Sequence, residues 1–235
     1  MLPRLLLLSL EFTCIVLAVA LVYLFFKVYK TQRSVFLLGL PLGFLFLTFS
    51  SSFLGAHIII LTFQAVNPFS SSIMWMRVIT QSVGFVLITL SYIFASRLQE
   101  TSKRSYLFIF LGATSLVASA FMVLFLLEVA PQELLTVYSY NDVFAVFNLS
   151  LLSFIILFLT RKLQLVKRKF VDLVGAPVAF FFLWVGQLSF LIWSFADGGD
   201  LAQVMTQVAR VVAFAIFVQI YYMASKEAAT DTGKA

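Results

Sequence analysis

Seven runs of apolar residues, each long enough to cross a bilayer as a helix, leave this chain few folds to choose from. A helix advances about 1.5 Å per residue and the hydrocarbon core is about 30 Å thick, so about 20 apolar residues make one crossing. Runs of that kind occupy residues 5–29, 35–63, 73–98, 106–127, 142–160, 171–195 and 201–225. In lipid each backbone amide must find its partner within the protein, which a helix does by itself. The expectation is an all-α polytopic membrane protein: one seven-transmembrane-helix bundle over residues 1–225, followed by a short cytoplasmic tail, 226–235.

Composition excludes the alternatives. With 62% hydrophobic and 11% charged residues, and 28 Phe, the chain has too little polar surface to cover a water-soluble globule. The formal charge of +6 comes from short basic clusters between the apolar runs, with no patch or motif for nucleic acid. Arg4, a leucine run and Ala18-Val19-Ala20 imitate a secretion leader. Glu11 interrupts that run, which continues through Phe26 to the basic cluster beyond, so it reads as the first span.

The basic residues also set the expected orientation. Lys27, Lys30 and Arg33, then Arg97, Lys103 and Arg104, then Arg161 to Lys169, and finally Lys226 fall on alternate connections, whereas the other connections carry no Lys or Arg. Short basic loops resist translocation, so the N-terminus is expected outside and the C-terminus inside a cell membrane. Trp75, Tyr138, Tyr140 and Trp193 would form the outer aromatic belt, and Tyr29, Tyr106, Tyr221 and Tyr222 the inner one.

An internal repeat suggests two halves. The second and sixth spans share Val-x-Leu-x-Gly-x-Pro-x-x-Phe-x-Phe-Leu, beginning at Val35 and Val171, and Thr80-Gln81 is echoed by Thr206-Gln207. Pseudo-repeats over 5–98 and 142–225, joined by a linker helix at 106–127, give a three-plus-one-plus-three parallel arrangement. Pro41 and Pro177 then stand at matched places as candidate hinges, since proline breaks the helical ladder.

That architecture resembles the microbial rhodopsins, and its repeat logic resembles the SWEET and PQ-loop transporters. The rhodopsin resemblance implies a seven-helix, N-out bundle, and against retinal: no Lys that could form a Schiff base lies between Leu201 and Ser225. Pro41 and Pro177 are followed by Leu42 and Val178, not by the Gln of a PQ loop.

Ionisable groups cost about 2.5 to 3.5 kcal/mol each at the centre of a membrane helix, so each one needs a reason. Arg210 lies deep in the last span, with Gln207 almost one turn away and Gln81 at the repeat-related place. Glu11, Asp142 and Asn148 are the candidate counter-groups, and together these six residues would line an outward-facing polar pocket. Arg77 and His57 also lie toward the outer side.

No catalytic residue, metal site or cofactor is expected. His57 has no ligand partner at helical spacing, Cys14 is the single cysteine, and no nucleophile–base pair or phosphate loop is visible. Ser115 and Ser119, among the small residues of the fourth span, could pack within the chain or form a homodimer face.

The leading expectation is a non-enzymatic, sensor-like or partner-coupled module in the lipid bilayer of the plasma membrane. A small-solute or ion transporter built from two parallel halves, or a structural subunit of a larger complex, are the alternatives.

Overall fold

A computed structural model describes residues 2–32, 38–63, 70–95, 111–112, 114–115, 119, 137–165, 170–195 and 200–232. Six long helices account for nearly all of them: α1 (Leu2–Gln32), α2 (Gly39–Phe63), α3 (Ser70–Ala95), α4 (Val137–Leu165), α5 (Phe170–Phe195) and α6 (Asp200–Thr232). Each contains a stretch long and apolar enough to cross a membrane. The protein is an all-α, multi-pass membrane protein.

The expected count of seven spans is corrected to six among the described residues. The run at 106–127 is not among those six. Of that run, Leu111, Gly112, Thr114, Ser115 and Ser119 are described and helical, and the rest lies outside the described residues. Gly112, Ser115 and Ser119 are exposed.

The helices form a closed ring. Each packs against the next in order, and α6 returns to α1. α1 and α6 run parallel, because Glu11 meets Arg210 near their beginnings and Phe25 meets Tyr221 further on. α3 and α4 are parallel too, since Trp75 packs edge-on against Phe144. The ring thus divides into α1–α3 and α4–α6, two sets of three with the same up-down-up sense. Lys27 and Lys30 on α1, Arg161 and Lys162 on α4 and Lys226 on α6 all lie at the end where these three parallel helices finish.

Both faces of these helices are apolar, yet they do different work. On α1 the stripe Leu7, Glu11, Cys14, Ala18, Leu21 and Phe25 is buried, while Phe12, Val16, Val19 and Tyr23 are more than half exposed, facing lipid. Small residues set the closest approaches. A Cβ on Gly43 would stand 2.9 Å from the Gly84 carbonyl oxygen, so α2 and α3 touch backbone to backbone. On the other side of the ring, a Cβ on Gly175 or Gly186 of α5 would meet Ile220 or the Thr206 carbonyl of α6 at 2.6 and 3.2 Å.

Some expected positions moved. Pro41 falls in the first turn of α2, where a missing N–H costs a helix little, while Pro177 is interior to α5. The two prolines thus stand at the third residue of α2 and the eighth of α5. Trp75, near the start of its span, is buried against Phe144 in the ring.

Candidate functional site

The interior of the ring is stratified. In the half where α1 begins it is polar and charged, and in the other half aromatic. Glu11 of α1, Ser51 of α2, Arg77 and Gln81 of α3, Asn148 of α4, Gln187 of α5, and Gln207 and Arg210 of α6 are all buried. Every helix of the ring contributes at least one. At the usual rise, Glu11 and Arg210 lie about 10 to 14 Å below the starts of their apolar stretches, too deep for their heads to reach water by extension.

Glu11 is the hub. Its carboxylate is 3.9 Å from Arg210 Nη1, with both side chains nearly inaccessible. That separation makes an ion pair but not a hydrogen bond. Arg210 and Arg77 are the cations acting on the carboxylate and the Ser51 hydroxyl lies beside it, yet among the described residues no donor meets strict hydrogen-bond geometry on either of its oxygens.

Arg77 enters from the opposite wall. Its guanidinium crosses from α3 to lie 4.9 Å above the ring of Phe190 on α5, and its Nη1 is 4.0 Å from Met74 Sδ. Its Nε has no hydrogen-bond partner among the described residues. The main chain beneath it is tied down by Ser50, whose hydroxyl donates to the Arg77 carbonyl over 3.0 Å. The guanidiniums of Arg77 and Arg210 also act on each other, so two like charges share one carboxylate.

The amide side chains complete the layer. Both polar atoms of Gln207 and the Asn148 Oδ1 are buried without a protein hydrogen bond. Most buried polar atoms in folded proteins are partnered, so this concentration of exceptions in one layer is notable.

Below the layer, aromatic rings fill the interior of the ring. Phe217 of α6 packs edge-on against Phe44 of α2 at 5.5 Å and Phe180 of α5 at 4.9 Å. Phe44 stacks on Phe25, which meets Tyr221, and Phe180 meets Tyr92. Phe44 and Phe180, the repeat-related phenylalanines, thus converge on one ring.

Of the six site residues read from the sequence, the structure buries Glu11, Gln81, Asn148, Gln207 and Arg210 in the ring and makes Glu11 and Arg210 a pair. Asp142 is partly buried on α4, its Oδ1 without a hydrogen-bond partner among the described residues. Arg77, Gln187 and Ser51 were missed as site residues. Arg77 carried a signal, an arginine inside an apolar run. Gln187 and Ser51 were recognisable only once their helices were placed.

Comparison of the chain with protein-family models, with curated proteins and with solved structures finds no match. The resemblance to the microbial rhodopsins does not hold: no solved structure matches, and the described spans number six. The sensor-like or partner-coupled seven-helix module with an outward-facing polar pocket is corrected with it. The polar groups are closed inside the ring, and the described residues include no cluster of His, Cys, Asp and Glu suited to a metal ion.

Proposed function

We propose that this protein is a non-enzymatic small-solute or ion transporter of the plasma membrane, working between two parallel three-helix halves. The observation that carries the reading is the buried layer of Glu11, Arg77, Gln207 and Arg210, to which both halves contribute and in which several polar atoms lack a protein partner. A cluster serving only as interhelical glue gains by pairing every group, because each unpaired buried atom costs about 1 to 3 kcal/mol. A layer that must hold and release a polar guest keeps some of its hydrogen-bonding capacity unspent.

The remaining architecture suits that role. The basic end of the bundle is cytoplasmic by the positive-inside rule, which puts the charged layer in the outer half and the Phe44, Phe180 and Phe217 rings on the cytoplasmic side as a gate. Pro177 stands less than one turn before Phe180, where the weakened ladder of α5 lets that ring swing aside.

The test is flux in proteoliposomes containing the full chain, across a panel of small ions and neutral solutes. Wild-type vesicles should pass at least one of them, and Arg210→Gln should reduce that flux at least tenfold. Vesicles indistinguishable from protein-free ones across the panel, or flux unchanged by Arg210→Gln, would overturn the proposal.

A further inference from the structure

We infer that the layer formed by Glu11, Arg77 and Arg210 is a binding site for a small monovalent anion. The inference deepens the transport reading and rests on it for the route the anion takes, while binding can be measured without flux.

Two guanidiniums and one carboxylate are enclosed together, each residue at most 5% exposed. An arginine stays protonated in proteins, so the cluster carries +1 with Glu11 ionised and +2 with Glu11 protonated. In either state the counter-charge the cluster wants is negative. Among the described residues, Glu11 supplies the carboxylate that forms an ion pair in this cluster, and a single carboxylate balances a single guanidinium.

The hydrogen-bonding inventory points the same way. Arg77 presents a planar fork whose Nε has no protein acceptor, held in place by an aromatic ring and a sulfur, neither of which neutralises it. Gln207 adds an amide nitrogen without a protein partner beside Arg210, less than one turn away on α6. The Glu11–Arg210 contact, at 3.9 Å, is loose enough for the guanidinium to serve another acceptor. A small anion that accepts several N–H bonds, such as nitrate, formate or chloride, matches this set. A cation would meet two arginines, and a dianion would overcompensate the charge.

The experiment titrates sodium nitrate, sodium formate and sodium chloride into the detergent-purified full chain. Bulky sodium gluconate holds ionic strength constant, and the thermal midpoint is the readout. At least one of the three should raise the midpoint saturably over gluconate. Arg77→Gln should weaken that apparent affinity at least tenfold, Arg77→Lys less, and Glu11→Gln should strengthen it while lowering the anion-free midpoint. No saturable effect of any of the three on the wild type overturns the inference, as does an affinity unchanged in Arg77→Gln or weakened in Glu11→Gln. Should Arg77→Gln not fold, the wild-type titration and Glu11→Gln still decide. Anion binding with no flux in vesicles keeps the site and removes the transporter. Flux of a cation or neutral solute with no anion binding does the reverse.

Discussion

Gly43 and Gly84 hold each other's place: a Cβ on either residue would stand 2.9 Å from the carbonyl oxygen of the other. The contact is backbone on backbone, so neither side can yield by turning a side chain. It also sets the separation of α2 and α3, and with it the Ser50 bond that anchors the main chain at Arg77. Gly43→Ala and Gly84→Ala should each destabilise the protein by about 1 to 3 kcal/mol, the usual cost of overpacking. Gly55→Ala, with nothing within 4 Å of the new methyl, is the matched control and should leave stability unchanged or slightly raised. Thermal unfolding in detergent distinguishes the three.

The Glu11–Arg210 pair predicts an asymmetry. Removing Glu11 takes away the carboxylate that, among the described residues, pairs with the buried guanidiniums, whereas removing Arg210 leaves Glu11 with Arg77. Glu11→Gln should therefore cost about 3 to 5 kcal/mol, as for an uncompensated buried charge, and Arg210→Gln distinctly less. The double variant should lose less than the sum of the two. Equal losses from the single variants would show that Arg77 does not serve as a reserve partner.

Phe217 is fully buried and touches both Phe44 and Phe180. Phe217→Ala should cost about 3 to 5 kcal/mol from lost contacts and the cavity left behind. If these rings form the cytoplasmic gate, the variant should also leak, passing the transported solute faster and with less dependence on its concentration than the wild type. Phe217→Leu, which keeps the volume more nearly, should leak less.

Cys14 supplies a built-in reporter. It is a free thiol, fully buried, and lies one turn from Glu11 on the inward stripe of α1. A membrane-impermeant maleimide should leave it unmodified in intact vesicles and label it after denaturation. Under transport conditions, labelling should rise as the layer opens, and Phe217→Ala should raise it further. Full labelling of the resting wild-type protein would contradict the enclosed layer.

Much of the fold was legible because the signal is one of composition. Apolar runs, turn residues and basic clusters located six spans to within a few residues, and an arginine or glutamate in an apolar run identifies itself. Glu11 and Arg210 were found for that reason. What was not legible is which face of each helix turns inward. Lipid and protein interior are both apolar, so Phe12 and Phe25 of α1 look alike in the sequence although one is exposed and the other buried. The sequence places Arg77 only toward the outer side, and it becomes central because α3 is packed so that its head reaches across to Phe190. The run at 106–127 met the same length criterion as the others and is not among the six spans described.

The sequence by itself determined the solvent, the helical class and the identity of the costly residues, because the price of a charge or an unpaired amide in lipid depends on residue type and hardly on its neighbours. Closure of the ring, the meeting of Glu11 with Arg210 and Arg77, and the aromatic floor beneath them were decided by tertiary structure alone. Those contacts join residues up to about 200 positions apart in the chain and depend on helix rotation, which an apolar surface facing an apolar medium leaves unmarked.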